Sequence, residues 1–117
     1  MNAAQKIIKA LEFTGYPVAQ SSYSGNAETY FVFRLDSYPE NFANDDPMHD
    51  LTTVQLHLFA PFTLNTRILR KKVRKAMAEA GFTYPNTIDA SETVRASDGT
   101  EQHIVFECEI EEELKDA

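Results

Sequence analysis

Apolar residues first repeat at helical spacing, with Ala4, Ile7, Ile8 and Leu11 at i, i+3, i+4 and i+7 while Lys6, Lys9 and Glu12 fall elsewhere on the wheel. Gly15 and Pro17 end that helix. Phe13 projects about 180° from the centre of the stripe, so it is either tucked under the following loop or an exposed contact. Val18-Ala19-Gln20 allows a short extended piece, and the segment from Ser21 to Asn26 with Gly25 reads as a turn. The β-branched and aromatic run Thr29-Tyr30-Phe31-Val32-Phe33-Arg34-Leu35 predicts a strand. Turn formers fill residues 36–50, and a loop of that length points to a functional or partner-ordered segment.

Val54, Leu56 and Leu58 then alternate with Gln55, His57 and Phe59 up to Pro61, the mark of a strand with one buried and one mixed face. Asn65 or Thr66 can cap a second helix that runs to about Ala80 and is closed by Gly81. Leu69, Val73, Ala76, Met77 and Ala80 form its core stripe, and Arg67, Arg70, Lys71, Arg74 and Lys75 take the opposite side. Lys72, between Ile68 and Ala76, must snorkel or meet an acid. Two extended runs, roughly 87–96 and 102–111, flank Ser97-Asp98-Gly99-Thr100, where Asp-Gly signals a hairpin. Ile104, Phe106, Cys108 and Ile110 alternate with Val105, Glu107 and Glu109, and Glu111, Glu112, Glu113 and Asp116 make an acidic tail. The fold class expected is α+β, with two helices on one face of a mainly antiparallel sheet of four to five strands, in the order α-(β)-β-β-α-β-β.

At 117 residues the chain is expected to form one domain, spanning 1–117, that buries a core without staples, and disorder is expected only in the last few residues. The 43% hydrophobic and 25% charged content is that of an ordinary globular protein. A single Cys excludes an intramolecular disulfide and a thiolate-rich zinc site. The start has no signal-peptide pattern, and no apolar run approaches the ~20 residues of a membrane span, so a soluble protein of a reducing compartment is expected.

Charge changes this picture. Residues 67–75 carry +6 with no acid among them, so against a net charge of −7 the other 108 residues carry −13. Such a dipole suits a protein that meets a charged surface. A DNA footprint would use those cations on phosphates with steep salt dependence. The pI near 4.8 and the lack of interleaved aromatics weigh against it, leaving a solvated helix face or a docking face for an acidic protein surface as the stronger readings.

Candidate chemistry is sparse. His49 with Asp45, Asp46 and Asp50 could suit a metal, but the stretch lacks the EF-hand pattern and reads as solvating loop acids. His57 and His103 fall on strands, where packing or exposure is commoner than acid–base work. Cys108 alternates with core residues and reads as an inert thiol, and the four isolated glycines make no phosphate cradle. No catalytic, metal or cofactor site is expected, and the chain reads as a non-enzyme.

The chain also resembles the small tail-completion proteins of long-tailed phages and prophages, the tail terminator or head-tail joining family. The resemblance rests on Asn2-Ala3-Ala4 with Ile7-Ile8-Lys9-Ala10-Leu11, on Gly15-Tyr16-Pro17-Val18 and Tyr30-Phe31-Val32-Phe33-Arg34, and on Val54-Gln55-Leu56-His57-Leu58-Phe59. It continues through the second helix, Ala80-Gly81-Phe82-Thr83-Tyr84 and the strand from His103 to Ile110, covering nearly the whole chain. These are patterns of packing and strand order rather than a catalytic signature. The resemblance implies a subunit that forms a ring, a hexamer in the assembled tail, even where it is a monomer in isolation. That ring would stop tail-tube growth and meet the tail tube protein and the head connector proteins. DNA would only pass through it, no membrane would be involved, and the protein would assemble in the bacterial host cytoplasm into the virion tail.

The basic density of 67–75 departs from the family pattern, and residues 37–50 match only around Asn41-Phe42-Ala43-Asn44-Asp45. A ring contact pairs two different patches, which segregated charge serves well. The expected interface sets Arg67, Arg70, Lys71, Arg74 and Lys75 of one copy against acids of its neighbour, drawn from Glu107, Glu109 and Glu111, Glu112 and Glu113, with Tyr38 and Phe42 as aromatic anchors. The alternative is a small prophage-encoded regulatory or nucleic-acid-binding protein that uses the basic helix.

Overall fold

A computed structural model describes residues 1–40, 49–91 and 101–113. Its elements are α1 (Ala3–Ala10), a 3-10 turn (Glu12–Thr14), β1 (Val18–Gln20), β2 (Tyr30–Pro39), β3 (His49–Pro61), α2 (Arg67–Glu79), β4 (Asn86–Asp89) and β5 (Glu101–Glu113). The five strands form one sheet in the order β1-β2-β3-β5-β4, parallel between β1 and β2 and antiparallel elsewhere. Both helices pack on one face of it, as the alternation of apolar residues predicts.

Cross-strand register turns that alternation into a core. Phe31, Leu58 and Ile104 line up across β2, β3 and β5, followed by Phe33, Leu56 and Phe106, then Leu35, Val54 and Cys108. Ile7 and Leu11 of the first helical segment and Val73 and Met77 of α2 close over these rows, all four with no exposed surface. The buried line of α1 is Ala3, Ile7 and Leu11, at i, i+4 and i+8, so Ile8 is rotated out of the expected stripe and stays 45% exposed. A helix of eight residues that shares one sheet face with a longer neighbour has room to bury only a narrow line.

Both helix starts are capped, though not by the same device. Asn2 and Gln5 exchange side-chain-to-backbone bonds in a capping box. At α2 the side chain of Asn65 accepts from the backbone N–H of Arg67, while Thr66, the residue at the cap position, turns inward. The hydroxyl of Thr66 donates to Oε1 of buried Gln102, whose Nε2 donates to the carbonyls of Pro61 and Leu64 at 2.9 and 2.7 Å. One side chain of β5 therefore fixes the whole β3–α2 connection. Gly15 (φ 74°) and Gly81 (φ 107°) end the two helical segments in the left-handed region.

Four expected boundaries shift. β2 runs to Pro39 and β3 begins at His49, so parts of the expected 36–50 loop are strand. Ser37 and Pro39 are poor strand formers, but β1 stops at Gln20 opposite Phe33, which leaves this end of β2 an edge where proline is tolerated. Glu112 and Glu113, expected in an acidic tail beyond a strand ending near Glu111, extend β5 because Asp50 and His49 of β3 supply the ladder partners; Asp116 lies outside the described residues. β4 spans Asn86–Asp89 and has ended by Ala90, whereas residues 92–96 of the expected 87–96 strand and the Ser97-Asp98-Gly99-Thr100 turn lie outside the described residues.

Candidate functional site

The basic residues divide into two groups. Arg67, Lys71, Lys72 and Lys75 are exposed, whereas Arg70 and Arg74 are half-buried. Arg70 Nε donates to the Thr66 hydroxyl at 3.0 Å, and Arg74 reaches Thr87 Oγ1 of β4 at 3.1 Å. These two guanidiniums therefore turn toward the sheet edge rather than outward, which corrects the expected five-residue outer face. The reason is lateral: α2 lies beside β4, whose Thr87 shares the helix-covered face with its register partner Phe106, so the β4-side residues of the helix find hydroxyl acceptors. Lys72 takes the place they vacate, exposed beside Lys75 on the side of α2 that faces α1.

The acids lie on the other side of the molecule. Glu107 and Glu109 are half-buried and Glu111 is exposed; all three alternate with the core residues of β5 and so project from the face opposite the helices. Glu112 points the other way, where its carboxylate accepts the backbone N–H of Ala3 at 2.9 Å and the hydroxyl of Thr52 at 2.6 Å. It serves the start of α1, a favourable place for an anion. Glu113 belongs to β5. Tyr38 is 55% exposed and aligns with Leu51 and Glu111 on the acid-bearing face. Phe42, Asp45 and Asp46 lie outside the described residues, while His49 and Asp50 open β3. Within one chain the exposed cations of α2 and the acids Glu107, Glu109 and Glu111 thus lie on opposite sides of the sheet, although Arg34 shares the acids' face and Glu79 and Glu112 lie on the helix side.

The far end of that same face carries a feature that only the register reveals. Tyr30, Phe59 and His103 align across β2, β3 and β5. Tyr23 stacks on Tyr30 at 4.5 Å between ring centres, Tyr30 on Phe59 at 5.2 Å, and Phe59 on His103 at 4.3 Å. Tyr23 is held there by its own loop, since its hydroxyl accepts the N–H of Ala27 and a Cβ at Gly25 would collide with its ring. The row ends in a hydrogen bond of 2.8 Å between His57 Nδ1 and His103 Nε2. Their planes differ by 23° and their centres lie 5.1 Å apart, the spacing of two near-coplanar rings sharing one proton along the line between them. One of the two nitrogens carries the N–H and the other presents its lone pair to it, so the pair is directed inward on itself.

Burial lowers the pKa of both histidines. For His57 the charges of His103 and Arg34 add to that effect against Glu107; for His103 a backbone hydrogen bond with Ala90 and the charge of Asp89 work against it. The folded state therefore binds fewer protons than the unfolded chain, whose histidines titrate near ~6.5. Stability from this pair is complete above that value and is lost as pH falls through the lower folded pKa values. Thermal midpoints measured from about pH 8 to about pH 5 should fall with acidification, and His57→Phe with His103→Phe should flatten the profile. An unchanged slope in the double variant would refute the assignment.

Cys108 is a buried core residue whose thiol burial pushes up to about 12, which leaves no thiolate for nucleophilic work. Among the described residues no group of three or more His, Cys, Asp or Glu is placed to hold a metal ion. The exposed cations of α2 lie on the helix layer, and Glu107, Glu109, Glu111 and the aromatic row on the opposite sheet face. No family model matches the chain, and no curated protein shows significant similarity to it.

Proposed function

We propose that this protein is a structural assembly subunit of the tail-terminator kind, which closes head-to-tail into a ring that caps a phage tail tube and joins it to the head connector. The observation that carries the reading is the separation of charge onto opposite layers, with Arg67, Lys71, Lys72 and Lys75 above the helices and Glu107, Glu109 and Glu111 beneath the sheet. Opposite charges on opposite faces attract successive copies in one direction, the heterologous contact from which rings are built. The α+β element order and the family resemblance support the same reading. In it the ring is hexameric, its neighbours are the tail tube and connector proteins, and DNA passes through without being read.

Nucleic-acid binding is the weaker reading. Arg70 and Arg74 are already engaged with Thr66 and Thr87, and the aromatic row stacks on itself, which covers ring faces that bases would need.

Native mass and sedimentation across concentration, with and without tail tubes, test the proposal. The wild type should form a closed ring, alone or on tube ends. Arg67→Glu, Lys71→Glu and Lys75→Glu together should weaken assembly about tenfold or more, an effect of the charge contacts that also diminishes with salt. Reversing exposed residues spares the internal bonds of Arg70 and Arg74. Normal ring closure by this variant at physiological salt would sink the charge-driven reading, and salt-steep retardation of DNA by the wild type would favour its rival.

A further inference from the structure

α1 and α2 enclose a groove of ≈ 660 Å³ that none of the internal contacts explains. Its floor is small, made by Ala10, Ala76 and Ala80. Phe13 and Met1 wall it and are 51% and 71% exposed, so the aromatic ring rests beside the groove instead of filling it. Lys6, Lys9, Lys72 and Lys75 stand round the rim against the single carboxylate of Glu79. An alanine floor admits a bulky apolar side chain, and four ammonium groups select one that arrives among acids.

The molecule carries such a surface at its opposite face. Tyr38 projects there from the edge portion of β2, with Leu51 and Glu111 aligned beside it. Asp36 lies two residues away on the same strand face, Glu109 aligns with Thr53 in that next row, and Glu40 follows the strand end. The chain measures 55 × 25 × 24 Å. Because the sheet separates groove from tyrosine, no copy can fill its own groove with its own Tyr38. We infer that the groove between α1 and α2 receives the Tyr38-bearing acidic end of a second copy of this chain. The contact rests on the ring reading and specifies it: Tyr38 is the anchor, Ala76 and Ala80 are the socket, and Lys72 and Lys75 face Asp36 and Glu111. Such a pairing of an aromatic anchor with an apolar groove inside a charged rim is where binding energy concentrates.

A two-variant experiment decides it. Lys72→Glu with Lys75→Glu spoils the groove and leaves the tyrosine end intact; Tyr38→Ala with Glu111→Gln does the reverse without offering the altered groove a new opposite charge. All four positions are exposed, and circular dichroism melts check that both variants fold. Each variant alone should be a monomer under conditions where the wild type associates, with a dissociation constant raised about tenfold or more. Mixed in equal amounts they should form a dimer and nothing larger, because only one intact groove and one intact anchor remain per pair. Wild-type association by either variant, or no dimer on mixing, would overturn the contact while leaving a ring built through other surfaces. A wild type that stays monomeric up to millimolar concentration would also overturn it, and only a ring templated by the tail tube would then survive. Binding of wild type to phosphatidylglycerol vesicles, lost in the lysine variant and kept in the tyrosine variant without self-association, would assign the groove to a lipid surface instead.

Discussion

Phe106→Ala is expected to destabilise the fold by about 3–5 kcal/mol, enough to remove much of the stability of a domain of this size. Phe106 has no exposed surface and lies in β5, between β3 and β4 in the sheet. Its register partners are Leu56 on one side and Thr87 on the other, and Phe33 lies beyond Leu56 in the same row. Truncation therefore opens a cavity in the middle of three strands that the ladder holds at fixed spacing, and only the helices can move to fill it. Urea titration followed by far-ultraviolet dichroism measures the loss. Phe106→Leu, which keeps most of the volume, should cost far less. Equal losses for the two substitutions would show that packing around this ring is not what holds the sheet.

Gln102→Leu is expected to cost about 2–4 kcal/mol although it adds apolar volume to a buried site. The amide of Gln102 satisfies the Pro61 and Leu64 carbonyls and the Thr66 hydroxyl, three groups on a connection that has just left β3 and not yet entered α2. Leucine fills the space but leaves all three without that partner, and buried polar groups stripped of a partner are costly. Gln102→Glu separates the two halves of the interaction, since it retains an acceptor for Thr66 but loses both donors and sets a carboxylate against two carbonyl oxygens. Its loss should equal or exceed that of leucine near neutral pH. A thermal midpoint for Gln102→Leu at or above the wild type would refute the stapling role.

Periodicity made the fold readable because the sheet has one covered face. Phe31 and Phe33, Leu56 and Leu58, and Ile104 and Phe106 each announce a strand locally, and the two helix stripes announce what covers them. Strand ends were harder to read because pairing, not propensity, decides them. Pro39 joins β2 only because Asp50 stands opposite, and Glu112 joins β5 because it pairs with the same Asp50 from the other side. The candidate site was half legible. Charge density singled out α2, but whether an arginine faces solvent depends on an acceptor such as Thr87, 13 positions beyond Arg74. The groove and the aromatic row were hidden further, since Ala10 and Ala76 line one groove and Tyr30 meets Phe59 only after the chain has folded. One local sign existed in Phe59 and His57, aromatic residues on the face of β3 turned away from the core.

The brevity of β1 has a consequence for behaviour in crowded solution. It covers β2 only from Phe31 to Phe33, so among the described strands the backbone from Arg34 to Pro39 has hydrogen-bonding groups facing outward on one side. Such an edge is a template for unwanted strand addition, the usual start of aggregation. The residues placed there discourage it: Arg34 and Asp36 put charged, solvated side chains on that stretch, and Pro39 has no N–H to offer. Removing those guards would leave the native core intact yet make the protein hard to keep in solution.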